Sequence, residues 1–440
     1  MDQLTPALDQ LLLPFVVVFR QEPYATFCCM AAAWIVCLGR RSISRIWETT
    51  GRSRTENHAP AFRLFSQAVW NWDEVCRILL VRLLATFVPG TRLWIVVDDT
   101  LCHKRGAKVA FGGIFLDAVL SSKRHKVFRF GNNWVMLGLI VELPFRRERF
   151  FCLPILWRIC EKRGTKAKKD HQSKSQRAGE MITLIAGWHP ERRFLVVADI
   201  GYIGKNLLRK RPSNVDAIGP ITWKAALYEG SVGKKGQPKC GKRLPTPKEM
   251  LANDACWPAV RTKIILKNNS TRELEVKRIE NVCWKEVTGA TPVVVVLVRD
   301  PQGEWRNEVL VCTDVSLTSE EVITGYCRRW SVEVAFCDAK QMLGFHEQQV
   351  WCAASVERAA PMSWFLGSLV VLWYASGGAE GSQAQRHRPW YKTKVSPTFA
   401  DMLSALRLQL WEHWLSPEEN TPAEREEKLA WLLEYIATAT

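Results

Sequence analysis

Three apolar runs constrain the fold most: RLWIVVDD (92–99), NWVMLGLIVEL (133–143) and ERRFLVVADIGYIG (191–204). Each is rich in β-branched residues and too continuously apolar to alternate wet and dry faces, so each reads as a strand covered on both sides. Strands of that kind belong to a sheet flanked by helices, an α/β layering. Two of the runs finish on aspartate, at Asp98/Asp99 and at Asp199.

KVAFGGIFLD and RFFCLPILWRI (149–159) are further strand candidates, and RAGEMITLIAGW (177–188) has helical spacing. Residues 1–90 read as a helical region, with apolar clusters at helix-like intervals and a basic, Ser/Thr-rich connection, GRRSISRIWETTGRSRTENHAP (39–60). Two short helices joined in this way suit a helix-turn-helix-like DNA reader or a helical cap on the next domain. Residues 91–200 form the first part of a core. Residues 201–314 read as a mostly β insertion, with a Gly/Pro/Lys-rich loop (232–250) and a strand pair, TPVVVVLVRD (291–300) and EWRNEVLVCTD (304–314), joined at Asp300-Pro301-Gln302-Gly303. The second part of the core spans 315–378, and 379–440 is a helical C-terminal region. LTSEEVITGYCRRWSVEVAFCDAKQML (317–343) opens with an N-cap signal, Thr318-Ser319 before Glu320 and Glu321, and reads as one helix.

At 440 residues, 47% hydrophobic and 24% charged, the chain has the composition of a globular protein with more than one structural unit. The charge is less ordinary: 61 Lys+Arg against 44 Asp+Glu gives +17, which favours a polyanionic partner. Membrane insertion is disfavoured, because TFCCMAAAWIVCLG (26–39) and WFLGSLVVLWYASGG (364–378) fall short of about 20 spanning residues and suit buried helices. The start of the chain, MDQLTPALDQLLLPF, lacks a basic segment before its apolar stretch, so no secretory signal is expected. None of the 14 cysteines is spaced C-x-x-C, and the 8 histidines supply no ligand pair. That pattern points to reduced thiols and a cytoplasmic location rather than a disulfide framework or a zinc site.

Asp98/Asp99, Asp199 and a third acid, Glu333, each end or occupy a regular element among apolar neighbours. Strand ends on one side of a sheet bring distant carboxylates together, and a hard divalent cation relieves their repulsion. Taken singly, each aspartate reads as a turn or helix cap before it reads as a ligand, and Glu142 and Asp117 have the same superficial credentials. Glu333 has distinctive neighbours. On a helix, Tyr326, Arg329, Glu333 and Lys340 fall within an arc of about 60°, flanked by Val332, Val334, Ala335 and Phe336. A phenol and two cations beside one carboxylate suit a phosphate: Arg as a fork, Lys as a point charge, Tyr through its hydroxyl. Arg328 is off that arc and is expected to be salt-bridged or solvated.

Y-x2-R-x3-E-x6-K, met by Tyr326, Arg329, Glu333 and Lys340, resembles the signature of a large group of insertion-sequence transposases with a DDE catalytic triad. VVDDT (96–100) resembles that family's first-aspartate strand and FLVVADIGYIG (194–204) its second. The roughly 130 residues before Glu333 resemble the β insertion the family carries there. The resemblance covers about 90 to 375. It implies an RNase H-like catalytic domain with Asp99, Asp199 and Glu333 holding two Mg²⁺ ions, for which Mn²⁺ substitutes, and with Asp98 as the alternative to Asp99. It further implies cleavage at transposon ends, 3′-hydroxyl strand transfer into target DNA, and a homodimer on double-stranded DNA at the nucleoid. Tyr326, Arg329 and Lys340 would hold the DNA backbone, with Lys104 as a further phosphate contact. Trp305 is a candidate to stack a displaced base, as in some relatives, or a core residue. The basic stretches SSKRHKVFR (121–129), EKRGTKAKK (161–169) and KKGQPKCGKR (234–243) could track phosphates. The alternatives are an RNase H-like nuclease that cuts without joining, and a domesticated, non-catalytic DNA-binding protein on the same fold.

Overall fold

A computed structural model describes residues 4–122, 124–162, 171–232, 236–253, 260–265, 271–378 and 396–438. Most of the basic stretch 161–169 and the start of 234–243 lie outside these residues, as does 379–395 of the C-terminal region.

The N-terminal region is helical: α1 (Pro6–Leu12), α2 (Gln21–Val36), α3 (Ile43–Thr49), α4 (Ala59–Ser66) and α5 (Trp72–Phe87). Side-chain caps define several starts. Thr5 accepts from Leu8 N–H, and Asn71 accepts from Glu74 N–H with Asp73 and Glu74 in the first turn. These helices share one continuous core with those at the other end of the chain. The Trp34 indole donates to the Leu343 carbonyl, and the Tyr435 hydroxyl meets Thr49 at 2.7 Å. The region therefore packs against the rest of the fold.

The strands are β1 (Arg92–His103), β2 (Gly113–Leu116), β3 (Phe128–Leu143) and β4 (Arg146–Cys160), then, after α6 (Lys174–Trp188), β5 (Arg193–Ala198). α7 (Lys205–Leu208) leads to β6 (Val215–Pro220), β7 (Tyr228–Val232) and β8 (Pro238–Arg243), and α8 (Pro247–Ala252) to β9 (Val260–Ile265), β10 (Thr271–Cys283), β11 (Pro292–Arg299) and β12 (Glu308–Cys312). All join one sheet in the order β2-β3-β1-β5-β6-β12-β11-β10-β7-β8, with β4 on β3 and β9 on β10. β3 runs antiparallel to β1 and β4, whereas β5 and β6 run parallel to β1. The group β4-β3-β1-β5-β6 is the RNase H-like arrangement, and the chain is α/β with helices on both faces. The 201–314 segment is joined to the rest of the sheet. β6 lies within this central group, and β12 continues the ladder directly from it.

α9 (Ser319–Cys327) and α10 (Ser331–Met342) follow, then α11 (Ala353–Ala359), α12 (Met362–Trp373), α13 (Phe399–Trp414) and α14 (Pro422–Ala437). The single helix expected over 317–343 is interrupted by a 3₁₀ turn at Arg328–Trp330. Its start is as expected: the Thr318 hydroxyl accepts from Glu321 N–H and the Glu321 carboxylate accepts from Thr318 N–H. The run from Ala353 to Gly378 is long and apolar enough to span a membrane by length and composition, unlike the shorter stretch expected. It is nevertheless mostly buried: α12 packs against β4 and α10, and Trp364 and Trp373 are enclosed.

Candidate active site

Asp98 and Asp99 do not end their strand; β1 continues to His103. Successive side chains therefore point to opposite faces. Trp94, Asp98, Thr100 and Cys102 share the face covered by α9 and α10. Trp94 lies under Gly325, where a Cβ would come within 2.6 Å of the indole, and the Cys102 thiol donates to the Phe345 carbonyl. Asp99 faces the other way, towards α6.

β5 pairs in parallel with β1 up to Val97↔Ala198, so Asp98 and Asp199 are the next residues on two adjacent, co-directed strands. The chain turns immediately after Asp199, with Tyr202 and Ile203 N–H groups donating to the Asp199 carbonyl at 2.9 and 3.2 Å. Gly219 on β6 makes room for this turn, since a Cβ there would lie 2.4 Å from Ile203 and 2.5 Å from the Ala198 carbonyl oxygen.

Arg329, in the 3₁₀ turn, reaches across to this corner. Its Nη1 donates to Asp98 Oδ2 at 3.0 Å and its Nη2 to Glu333 Oε1 at 3.4 Å. It also lies in the fields of Tyr326 and Asp199. Burial opposes its charge, but Asp98, Tyr326, Asp199 and Glu333 together raise its pKa. Burial pushes Asp98 up to about 6, against the pull of Arg329 and with Asp99 and Asp199 adding to the rise. Tyr326 is likewise pushed up to about 12 by burial. One cation thus balances a group of acids whose charges oppose one another.

Lys340, two turns further along α10, donates to Thr100 Oγ1 at 2.7 Å, and its burial lowers its pKa. The stripe of Tyr326, Arg329, Glu333 and Lys340 therefore lies over the Asp98–Thr100 face of β1. Asp99 is elsewhere: its Oδ2 meets Lys174 Nζ at 2.5 Å and its Oδ1 accepts from the Tyr202 hydroxyl at 2.7 Å. Lys104 Nζ donates to the Gln348 carbonyl at 2.8 Å. Trp305 is half-buried against the core of the extended sheet, with the Arg272 guanidinium 5.4 Å over its ring.

Arg328 is half-buried and, among the described residues, has no ion-pair partner, unlike the salt-bridged or solvated side chain expected. Its guanidinium lies between the Trp94 and Phe150 rings, 4.2 and 4.3 Å from their centroids, where the helix break turns it towards β4. The rival acids separate too. Asp117 is buried, accepts from Val119 and Leu120 N–H groups and pairs with His103 at 2.6 Å, whereas Glu142 sits near the far end of β3. One acid of the corner went unread in the sequence. Glu308, at the start of β12, is half-buried, and burial followed by the neighbouring charges, Asp199 among them, leaves its pKa raised. Its only sequence signal is a charge at the head of an apolar strand.

Among the described residues no three His, Cys, Asp or Glu side chains stand close enough, as arranged here, to ligate one ion. Arg329 stands among the carboxylates instead. The donor set of Asp98, Asp199 and Glu333 is nevertheless all oxygen and anionic, which is the chemistry a hard divalent cation takes. A cavity of about 660 Å³, lined by Arg146, Phe150, Trp330, Asp338 and Trp364, lies behind α10, on the face opposite Glu333.

A family model described as DDE superfamily endonuclease matches residues 19–289. The match covers both aspartate strands and stops short of Glu333. No curated protein matches the chain significantly.

Proposed function

The chain belongs to the DDE superfamily endonucleases, and from that membership we propose that it is a transposase, cutting double-stranded DNA at transposon ends and joining the freed 3′-hydroxyl to a target. Family membership supports DNA as the substrate and a divalent metal as cofactor. Mg²⁺, with Mn²⁺ as substitute, is our reading of the ion, and a homodimer holding two ends is our reading of the assembly. The observation that carries the proposal is the Arg329 fork joining Asp98 to Glu333 beside Asp199.

In this reading Asp98, Asp199 and Glu333 are the metal-holding carboxylates, with Asp98 in place of Asp99. A pair of bound divalent ions would supply Lewis-acid activation of the attacking oxygen and charge neutralisation at the leaving one. Asp98 and Asp199 are held by adjacent parallel strands, so the sheet fixes their spacing. Glu333 is exposed on α10 and closes the set from above. Arg329 exchanges its carboxylate partners for a phosphate, which its planar fork grips in two-point fashion. Tyr326 offers a hydroxyl that stays protonated at neutral pH, and Lys340 a point charge along the same stripe. Trp305 and Lys104 have weaker standing, because their side chains already have partners within the fold.

The test is a strand-transfer assay with DNA carrying the ends of the chain's own element, supplied pre-cleaved, and Mg²⁺. Joined product establishes transposase chemistry. Cleavage without joining leaves a nuclease, and neither activity leaves a DNA-binding protein on the same fold.

A further inference from the structure

The aspartate not used by the cluster above has a distinct set of contacts. The backbone ladder between β1 and β5 ends at Val97↔Ala198, one residue before Asp98 and Asp199. Beyond that rung no β1–β5 pairing fixes the separation of the two strand ends, and the two carboxylates repel each other. The next link between them is made by side chains. Asp99 Oδ1 accepts from the Tyr202 hydroxyl at 2.7 Å, and Tyr202 N–H donates to the Asp199 carbonyl at 2.9 Å. Tyr202 is only 4% exposed, so its ring is held by packing and its hydroxyl has little freedom to search for another partner. Asp99's second oxygen is taken by Lys174 at the start of α6. The turn itself is stiffened by Ile200 N–H, which donates to Asp199 Oδ1 at 2.7 Å.

We propose that Asp99 is a positioning residue: through Tyr202 it fixes the turn that carries Asp199, and so sets where Asp199 stands relative to Asp98. The adjacent aspartates then divide the work by strand alternation, one turned to the reacting face and one to the supporting face. This rests on the reading of Asp98, Asp199 and Glu333 as the metal-holding set. Removal of such a supporting hydrogen bond lowers metal affinity about 10- to 100-fold while leaving the ligands themselves in place.

The experiment measures Mn²⁺ binding to the full chain without DNA, by electron paramagnetic resonance, and DNA cleavage across a range of Mn²⁺ concentrations. Tyr202→Phe removes only the hydroxyl and keeps the ring in the core. It is expected to weaken Mn²⁺ binding about tenfold, with the cleavage rate returning to the wild-type level at saturating Mn²⁺. Asp99→Ala is expected to weaken binding similarly, and the double variant to be no worse than Asp99→Ala alone, because both substitutions break one linkage. Asp99→Asn, whose amide oxygen still accepts from Tyr202, is expected to recover most of the affinity. Unchanged Mn²⁺ binding in Tyr202→Phe would overturn the proposal, as would an Asp99→Asn variant that is inactive at every Mn²⁺ concentration. Asp98→Asn is the control on the underlying reading. If it binds Mn²⁺ like wild type, the metal site itself is misassigned and this inference falls with it. If it loses binding while Tyr202→Phe does not change, only this inference fails.

Discussion

Arg329 Nη1 lies 3.0 Å from Asp98 Oδ2, a contact between the break in the α9–α10 helix and the centre of the sheet. Both side chains are largely shielded from water, at 16% and 20% exposure. A guanidinium held this way is a ready substitute for a metal cation, and the arrangement ties the two halves of the catalytic core together.

Asp98→Asn is expected to reduce metal-dependent cleavage by more than the ~100-fold that loss of a supporting contact costs, with DNA affinity retained. Gel-shift titration alongside a cleavage assay separates the two effects. Glu333→Gln should behave in the same way, and full activity in either variant would refute the assignment.

The same residue governs a pH effect. Asp98 has a folded-state pKa of about 6, above its unfolded value of 3.8. Its contribution to stability is therefore present below the unfolded value and lost as pH rises through about 6. The amount is on the order of 2–3 kcal/mol. Urea melts of the metal-free protein should show this loss between pH 4 and 6, and Asp98→Asn should flatten it. Apparent Mn²⁺ affinity should rise over the same window, since the ligand must shed its proton.

Adjacent arginines should give opposite phenotypes. Arg328→Ala removes a guanidinium stacked between Trp94 and Phe150, and is expected to cost about 1–3 kcal/mol of stability while cleavage by the folded protein persists. Arg329→Gln is expected to impair cleavage severely. Comparing melts with turnover per folded molecule checks both, and similar turnover losses would contradict the separation.

Lys340→Met tests the phosphate stripe. If Lys340 neutralises one phosphate, the slope of log K against log salt should become shallower by about 0.9. An unchanged slope would confine Lys340 to its hydrogen bond with Thr100.

Gly219→Ala should crowd the turn after Asp199, because the new Cβ would press on Ile203 and the Ala198 carbonyl. A stability loss of about 1–3 kcal/mol is expected, together with weaker metal binding. Wild-type behaviour in both would show that the turn yields freely.

The strands bearing the aspartates were legible because continuous β-branched runs have few other uses, and the Tyr326–Lys340 stripe because helical spacing survives one tight turn. The choice between Asp98 and Asp99 was not. In our reading it turns on which face of β1 meets α10, and that face follows from pairing register and packing rather than from sequence spacing. Arg328 was misread for a related reason: a regular helix projection places it towards solvent, but the 3₁₀ turn delivers it between two rings. Glu308 has Arg306 two residues before it, so in the sequence it reads as an ordinary surface charge pair. Tyr202 stood in plain view within GYIG, yet its importance lies in a hydroxyl bond to a residue over 100 positions earlier.

The direct pairing of β12 with β6 limits how this chain can be shortened. Excising β7 to β12 to obtain a minimal catalytic unit would bare the Ile218–Pro220 end of β6, leaving unpaired N–H and C=O groups open to other chains. The excision would also strip Leu195 and Ile218 of the valines packed against them. Aggregation, rather than a smaller working enzyme, is the outcome such a truncation invites.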